Sequence, residues 1–172
     1  MAILLLIPFG LQGLAMFFDE FYFHRKRGLG LWERVGHPID TLSVLSCYLF
    51  VLKMPINKMN LIGFLVLTGI SCLLVTKDEF EHKKYCTAQE NWLHSVLFVL
   101  HPISFLSLAL IWAFQNNVLT VWTNFLKASQ FAELLWSSLY GQVFFVSGFM
   151  FYQIIYWSFI WTPSSIQKST IR

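Results

Sequence analysis

Apolar runs separated by short polar stretches follow one another along the whole 172-residue chain, and their lengths predict helices that cross a bilayer. The first covers residues 1 to about 18 and meets the charged stretch that opens at Asp19. A second runs from about Ile39 to Leu52, short unless its helix starts near Trp32, and stops at Lys53 and Pro55. A third extends from about Met59 to Thr76 and a fourth from about Trp92 to Phe114. Residues 118–130 mix Val121, Trp122, Phe125 and Leu126 with Asn124 and Lys127, the pattern of an amphipathic helix lying on the membrane surface. The last run, 131–162, is long enough to cross with tilt and ends in Trp and Tyr residues suited to the interface.

The expected fold is therefore an all-α integral membrane protein forming one domain over 1–172, with about five transmembrane helices and one surface helix. Short connections favour antiparallel neighbours, so the first four helices are expected to pair as two hairpins of one bundle. The hairpins read as an internal repeat, about 1–54 and 59–114, related by a pseudo-twofold axis along the membrane normal. No positive segment precedes the first run, which is read as a retained helix and not as a cleaved signal peptide.

Composition agrees: 56% of residues are hydrophobic, only 12% are charged, and mean hydropathy is +0.60. The net charge of +3 comes from bases beside helix ends, which serve orientation and give no reason to expect a nucleic-acid partner. Arg25, Lys26, Arg27, Arg34, Lys77, Lys83 and Lys84 fall at one end of the bundle, joined by Lys168 and Arg172, against Lys53, Lys58 and Lys127 at the other. By the positive-inside rule that end and the C-terminus are cytoplasmic and the N-terminus is outside. The three cysteines are an odd count and imply no disulfide framework.

The charged residues are not spread evenly. All five histidines and eight of the nine acids lie in two segments, Asp19–Asp40 and Asp78–Pro102, both at the basic end. The order acid, His, bases, Trp, His-Pro recurs: Asp19-Glu20, His24, Trp32 and His37-Pro38, then Asp78-Glu79, His82, Trp92 and His101-Pro102. Four acid–His pairs are spaced to share a helix face: Glu20 with His24, Glu33 with His37, Asp78 with His82, and Glu90 with His94. Matching Trp32 to Trp92 sets His37 against His101 only after an insertion of about one helical turn, and leaves His94 without a counterpart; both His94 and His101 are taken as lying near the site. The His-Pro pairs read as first-turn prolines, with His37 near the start of its helix. A solvated rim of helix-end charges is the plain alternative, but so many imidazoles and carboxylates at converging ends point to a metal site.

The candidate ligands are Asp19, Glu20, His24, His37, Asp40, Asp78, His82, Glu90, His94 and His101. Mixed imidazole and carboxylate donors suit iron, zinc or manganese, and more than four donors favour two ions. Two irons are the first expectation. Cys86, four residues after His82, is read as a bystander, with a thiolate ligand as the alternative. Glu33 and Glu90 are the candidate general bases, and Arg25, Arg27 and Lys84 the candidate contacts for a lipid headgroup. The ligand logic resembles that of the di-iron carboxylate bundles. In position and ligand chemistry the site resembles membrane fatty-acid desaturases and hydroxylases, although this chain has no His-His pair. That resemblance implies oxidation of a lipid or another hydrophobic substrate, with an electron donor as partner. Metal-dependent hydrolysis of a lipid or phosphoester on zinc is the alternative, and non-enzymatic metal transport or sensing is a further one.

Overall fold

The computed structural model describes residues 2–77, 79–116, 118 and 131–162. Helix α1 is built over Ile3–Arg27, α2 over Leu31–Lys53, α3 over Lys58–Leu74, α4 over Glu79–Tyr85, α5 over Ala88–Gln115 and α6 over Phe131–Ile155, which runs on to Ile160. Among the described residues there is no strand. Four helices are long and apolar enough to cross a membrane, namely α1, α2, α5 and α6 with its extension. The third expected crossing, α3, has only 17 residues, which at 1.5 Å per residue is about 26 Å, the short limit for a span. The expected surface helix at 118–130, apart from Val118, and the tail after Thr162 lie outside the described residues.

Large apolar side chains point outward along these helices. Phe144 is 84% exposed and Leu65 59%. An exposed phenylalanine is costly in water but neutral in hydrocarbon, so these faces are those of a lipid-embedded bundle. The core is aromatic and aliphatic, with Trp112, Leu108, Ile111, Leu139 and Cys47 fully buried.

Helix limits follow local chemistry. Gly28 takes φ 81°, ψ 162°, a conformation that only glycine adopts at low cost, and breaks α1 from α2. Helix α2 then starts at Leu31, where the backbone N–H of Gly30 donates to the Glu33 side chain at 3.1 Å. Helix α5 starts after Thr87, whose Oγ1 accepts from the backbone N–H of Glu90 at 3.3 Å. Asn57 caps α3 in the same way, accepting from Asn60 N–H at 2.8 Å.

These starts correct one expectation. Pro38 and Pro102 lie inside α2 and α5, not in their first turns, because the caps sit further upstream. Packing also differs from two separate hairpins. Helix α2 packs mainly on α6 and α3, whereas α1 packs mainly on α5. Helices α1 and α2 meet where the rings of Phe9 and Tyr48 lie 5.8 Å apart and, nearer the Gly28 break, through the polar side chains described next.

Candidate metal centre

The charged ends of α1, α2 and α5 and the short helix α4 converge. From Asp19 to His24, α1 opens into one wide π-helical turn. Such a turn aligns residues five apart as well as four apart, so Asp19 and Glu20 both reach the His24 ring. His24 Nε2 lies 3.2 Å from Asp19 and Nδ1 lies 3.3 Å from Glu20. All three side chains are buried.

Four groups of residues bring nitrogen, oxygen or sulfur atoms within 4.8 Å of one another: Asp19, His24, Glu90 and His94; Glu20, His24 and His37; Glu33, His37 and His82; and His82, Cys86 and His94. Shared histidines link them in a ring. His24 and His37 share Glu20, His37 and His82 share Glu33, His82 and His94 share Cys86, and His94 and His24 share Asp19 and Glu90. The rings of His24 and His37 lie 4.7 Å apart and those of His82 and His94 4.1 Å apart.

Three of these nitrogens are buried without a partner, His37 Nε2, His82 Nδ1 and His94 Nδ1, while His24 Nε2 and His82 Nε2 face carboxylates outside hydrogen-bond geometry, Asp19 at 3.2 Å and Glu33 at 3.5 Å. A buried imidazole nitrogen left without a partner costs free energy, and so many in one place is the arrangement of ligands around cations. The donor set suits the metals expected from the sequence and offers enough donors for two ions.

The surrounding contacts are those that orient ligands. Arg27 holds Glu33 with two hydrogen bonds, 2.9 and 2.7 Å, and reaches Glu90 with Nε at 3.1 Å. The buried Trp157 ring N–H donates to Glu20. His94 Nε2 lies 3.1 Å from Asp19. Burial pushes the Cys86 thiol up from its ordinary range, more than the neighbouring Arg27 draws it down.

Placement of the predicted residues is uneven. Asp19, Glu20, His24, Glu33, His37, His82, Glu90 and His94 come together, and Cys86 joins them. Asp40 and His101 are in none of the four groups: Asp40 pairs with Lys77, and His101 is bonded to Gln12 and Ser71 further down the bundle. Asp78 lies outside the described residues, as does the side chain of Lys84. Arg27 faces inward onto two carboxylates, whereas Arg25 stays exposed against the rings of Phe21 and Tyr156. Trp157 and Gln12 had no sequence signal, since neither belongs to an acid–His pattern.

The starts of α2 and α5 carry the same pattern. Gly30, Glu33 and His37 of one half match Thr87, Glu90 and His94 of the other, as helix cap, third residue and seventh residue.

A cavity of about 130 Å³ begins at the ring, where Asp19, Glu20, His37, His82 and His94 line it. It continues between the helices to Val44, Tyr48 and Phe9, with Phe145 and Phe149 on one wall. Comparison of the chain with family models, curated proteins and solved structures gives no match. What the fold and site define is thus a class: an all-helical protein with membrane-type helices and a buried His/carboxylate cluster able to hold metal.

Proposed function

We propose that this chain is a membrane-embedded metalloenzyme whose ring carries two irons and oxidises a C–H bond of a lipid or another hydrophobic substrate, by hydroxylation or desaturation. The observation that carries this is the cavity: its polar end is the ligand ring and the rest of its wall is largely apolar, so a hydrocarbon chain can lie with one carbon against the ring. Iron, when bound, supplies the activation of dioxygen. The chain's own residues do the remainder. Four imidazoles and the carboxylates of Asp19 and Glu20 hold the ions, Trp157 fixes the orientation of Glu20, and Arg27 balances the charge of Glu33 and Glu90. The apolar walls exclude water and position the substrate.

Hydroxylation consumes one dioxygen, two electrons and two protons, leaving one oxygen in the product and one in water. Desaturation consumes the same reactants and releases two waters. Either reaction needs an external electron donor. By the positive-inside rule, the surplus of bases at the ring end supports a cytoplasmic ring end and C-terminus with the N-terminus outside.

Hydrolysis on zinc uses the same ligands but needs a free base. Both candidates, Glu33 and Glu90, are held by Arg27, which makes it the weaker reading. Transport or sensing is weaker again, because the ring lies at one end of the bundle and transport sites usually lie near the midplane. The test is to load the purified protein with iron in lipid nanodiscs containing a total membrane lipid extract, supply a chemical reductant and ¹⁸O₂, and examine the lipids by mass spectrometry. A product gaining one labelled oxygen or losing two hydrogens is expected. Iron-loaded, folded protein that yields neither would contradict the oxidase reading.

A further inference from the structure

Below the ring, the cavity wall carries polar side chains that take no part in holding a metal. Gln12 Nε2 lies 2.9 Å from His101 Nδ1, His101 Nε2 lies 3.1 Å from Ser71 Oγ, and Ser71 Oγ lies 2.7 Å from Ser43 Oγ. Ser43 spends its one proton on the carbonyl of Asp40, at 2.7 Å. Ser43 must then accept from Ser71, and Ser71 must accept from His101. His101 therefore carries a proton on Nε2, and with the Gln12 amide nitrogen facing it, Nδ1 accepts. Every proton in the chain then runs one way.

This network ties α1, α5, α3 and α2 together, and as helix glue it accounts for one N–H of Gln12. It leaves the Gln12 carbonyl and second N–H with no hydrogen bond among the described residues. Gln142 also lines the cavity, and its side chain makes no hydrogen bond among the described residues. The two stand at a similar depth: a Cβ at Gly13, next to Gln12, would come 4.0 Å from Phe145, which is one turn from Gln142. Both side chains are only partly buried and line the cavity, so their spare donors and acceptors are open to a molecule in it that can hydrogen-bond. A plain hydrocarbon chain cannot.

We propose that Gln12 and Gln142 form a recognition station for a hydroxyl or carbonyl oxygen carried within an otherwise apolar molecule. His101 lies seven residues beyond His94, so the station is about two helical turns, roughly 10 Å, from the ring. The substrate class is then an oxygenated lipid, with its oxygen set about that far from the carbon held at the ring. This rests on the same cavity as the oxidase reading and narrows what it accepts.

Three probes test it: n-hexadecane, hexadecan-8-ol and hexadecan-8-one, each displacing a fluorescent polyene fatty acid from the detergent-purified protein. The wild type is expected to bind the alcohol, the ketone or both about tenfold more tightly than the alkane, the effect of one or two net hydrogen bonds. Gln142→Leu, which leaves the His101 network intact, should reduce that preference severalfold, and Gln12→Leu/Gln142→Leu should abolish it while hexadecane still binds. Equal binding of all three probes to the wild type overturns the proposal, and so does a preference that survives in the double variant. Iron content measured on the same samples separates the two proposals. Probe preference without iron contradicts the oxidase and leaves the station standing, whereas iron without preference overturns the station alone.

Discussion

The imidazoles of His82 and His94 face each other with centroids 4.1 Å apart and planes 33° from parallel, although one sits on α4 and the other on α5. No hydrogen bond joins them; Nδ1 of each is buried without a hydrogen-bond partner, and His82 Nε2 lies 3.5 Å from Glu33. Two imidazoles so close make a poor pair when both are protonated and a good one around a shared cation. An imidazole must be neutral to bind metal, so protons compete with the ion and loading is expected to fall as the solution is made acid. Metal retained after dialysis across a pH series checks this. Loading that rises on acidification would contradict it.

Arg27 is the one described cation that bonds to both Glu33 and Glu90. Replacing it by Met strands two buried carboxylates, and unfolding in detergent should become easier by about 3–5 kcal/mol. The triple change Arg27→Met/Glu33→Gln/Glu90→Gln removes the charges together and should recover much of that loss. Thermal melts of both variants make the comparison. A single variant as stable as the wild type would show that the carboxylates are not held as described.

Trp157 approaches the centre only through its ring N–H to Glu20. Trp157→Phe keeps most of the ring volume and removes the donor. Metal affinity should fall about 10–100-fold, the usual cost of losing a contact that orients a ligand, with helix content by circular dichroism unchanged. Competition with a chelator of known affinity gives the number.

At Gly28 the break between α1 and α2 depends on φ 81°. Gly28→Ala forces a side chain into that conformation and is expected to cost about 1–3 kcal/mol, or to shift Arg27 away from Glu33. Gly10→Ala is the control, since a Cβ there meets nothing within 4 Å. Equal melting temperatures for the two variants would mean the break is not held where it is described.

Much of this was readable from the chain, because hydrocarbon-length apolar runs and acid–His spacing are local signals. The runs located α1, α2, α5 and α6, and the pairs Glu20–His24, Glu33–His37 and Glu90–His94 all fall within the ring. What escaped was not local. Asp19 joins His24 through a π-helical turn that a four-residue spacing rule does not anticipate. Pro38 and Pro102 suggested helix starts, whereas the caps at Gly30 and Thr87 set them further upstream. The pairings of Trp157 with Glu20 and Gln12 with His101 depend on which helices become neighbours, and the apolar faces of these helices do not reveal that from sequence.

The most direct test is metal content. Protein purified in mild detergent, without a metal-binding tag and never exposed to chelator, is analysed for elements beside His24→Ala/His82→Ala. About two irons per chain are expected, with loss of both in the double variant. Folded wild-type protein that carries no metal, or metal that stays in the double variant, would contradict a metal centre at this ring.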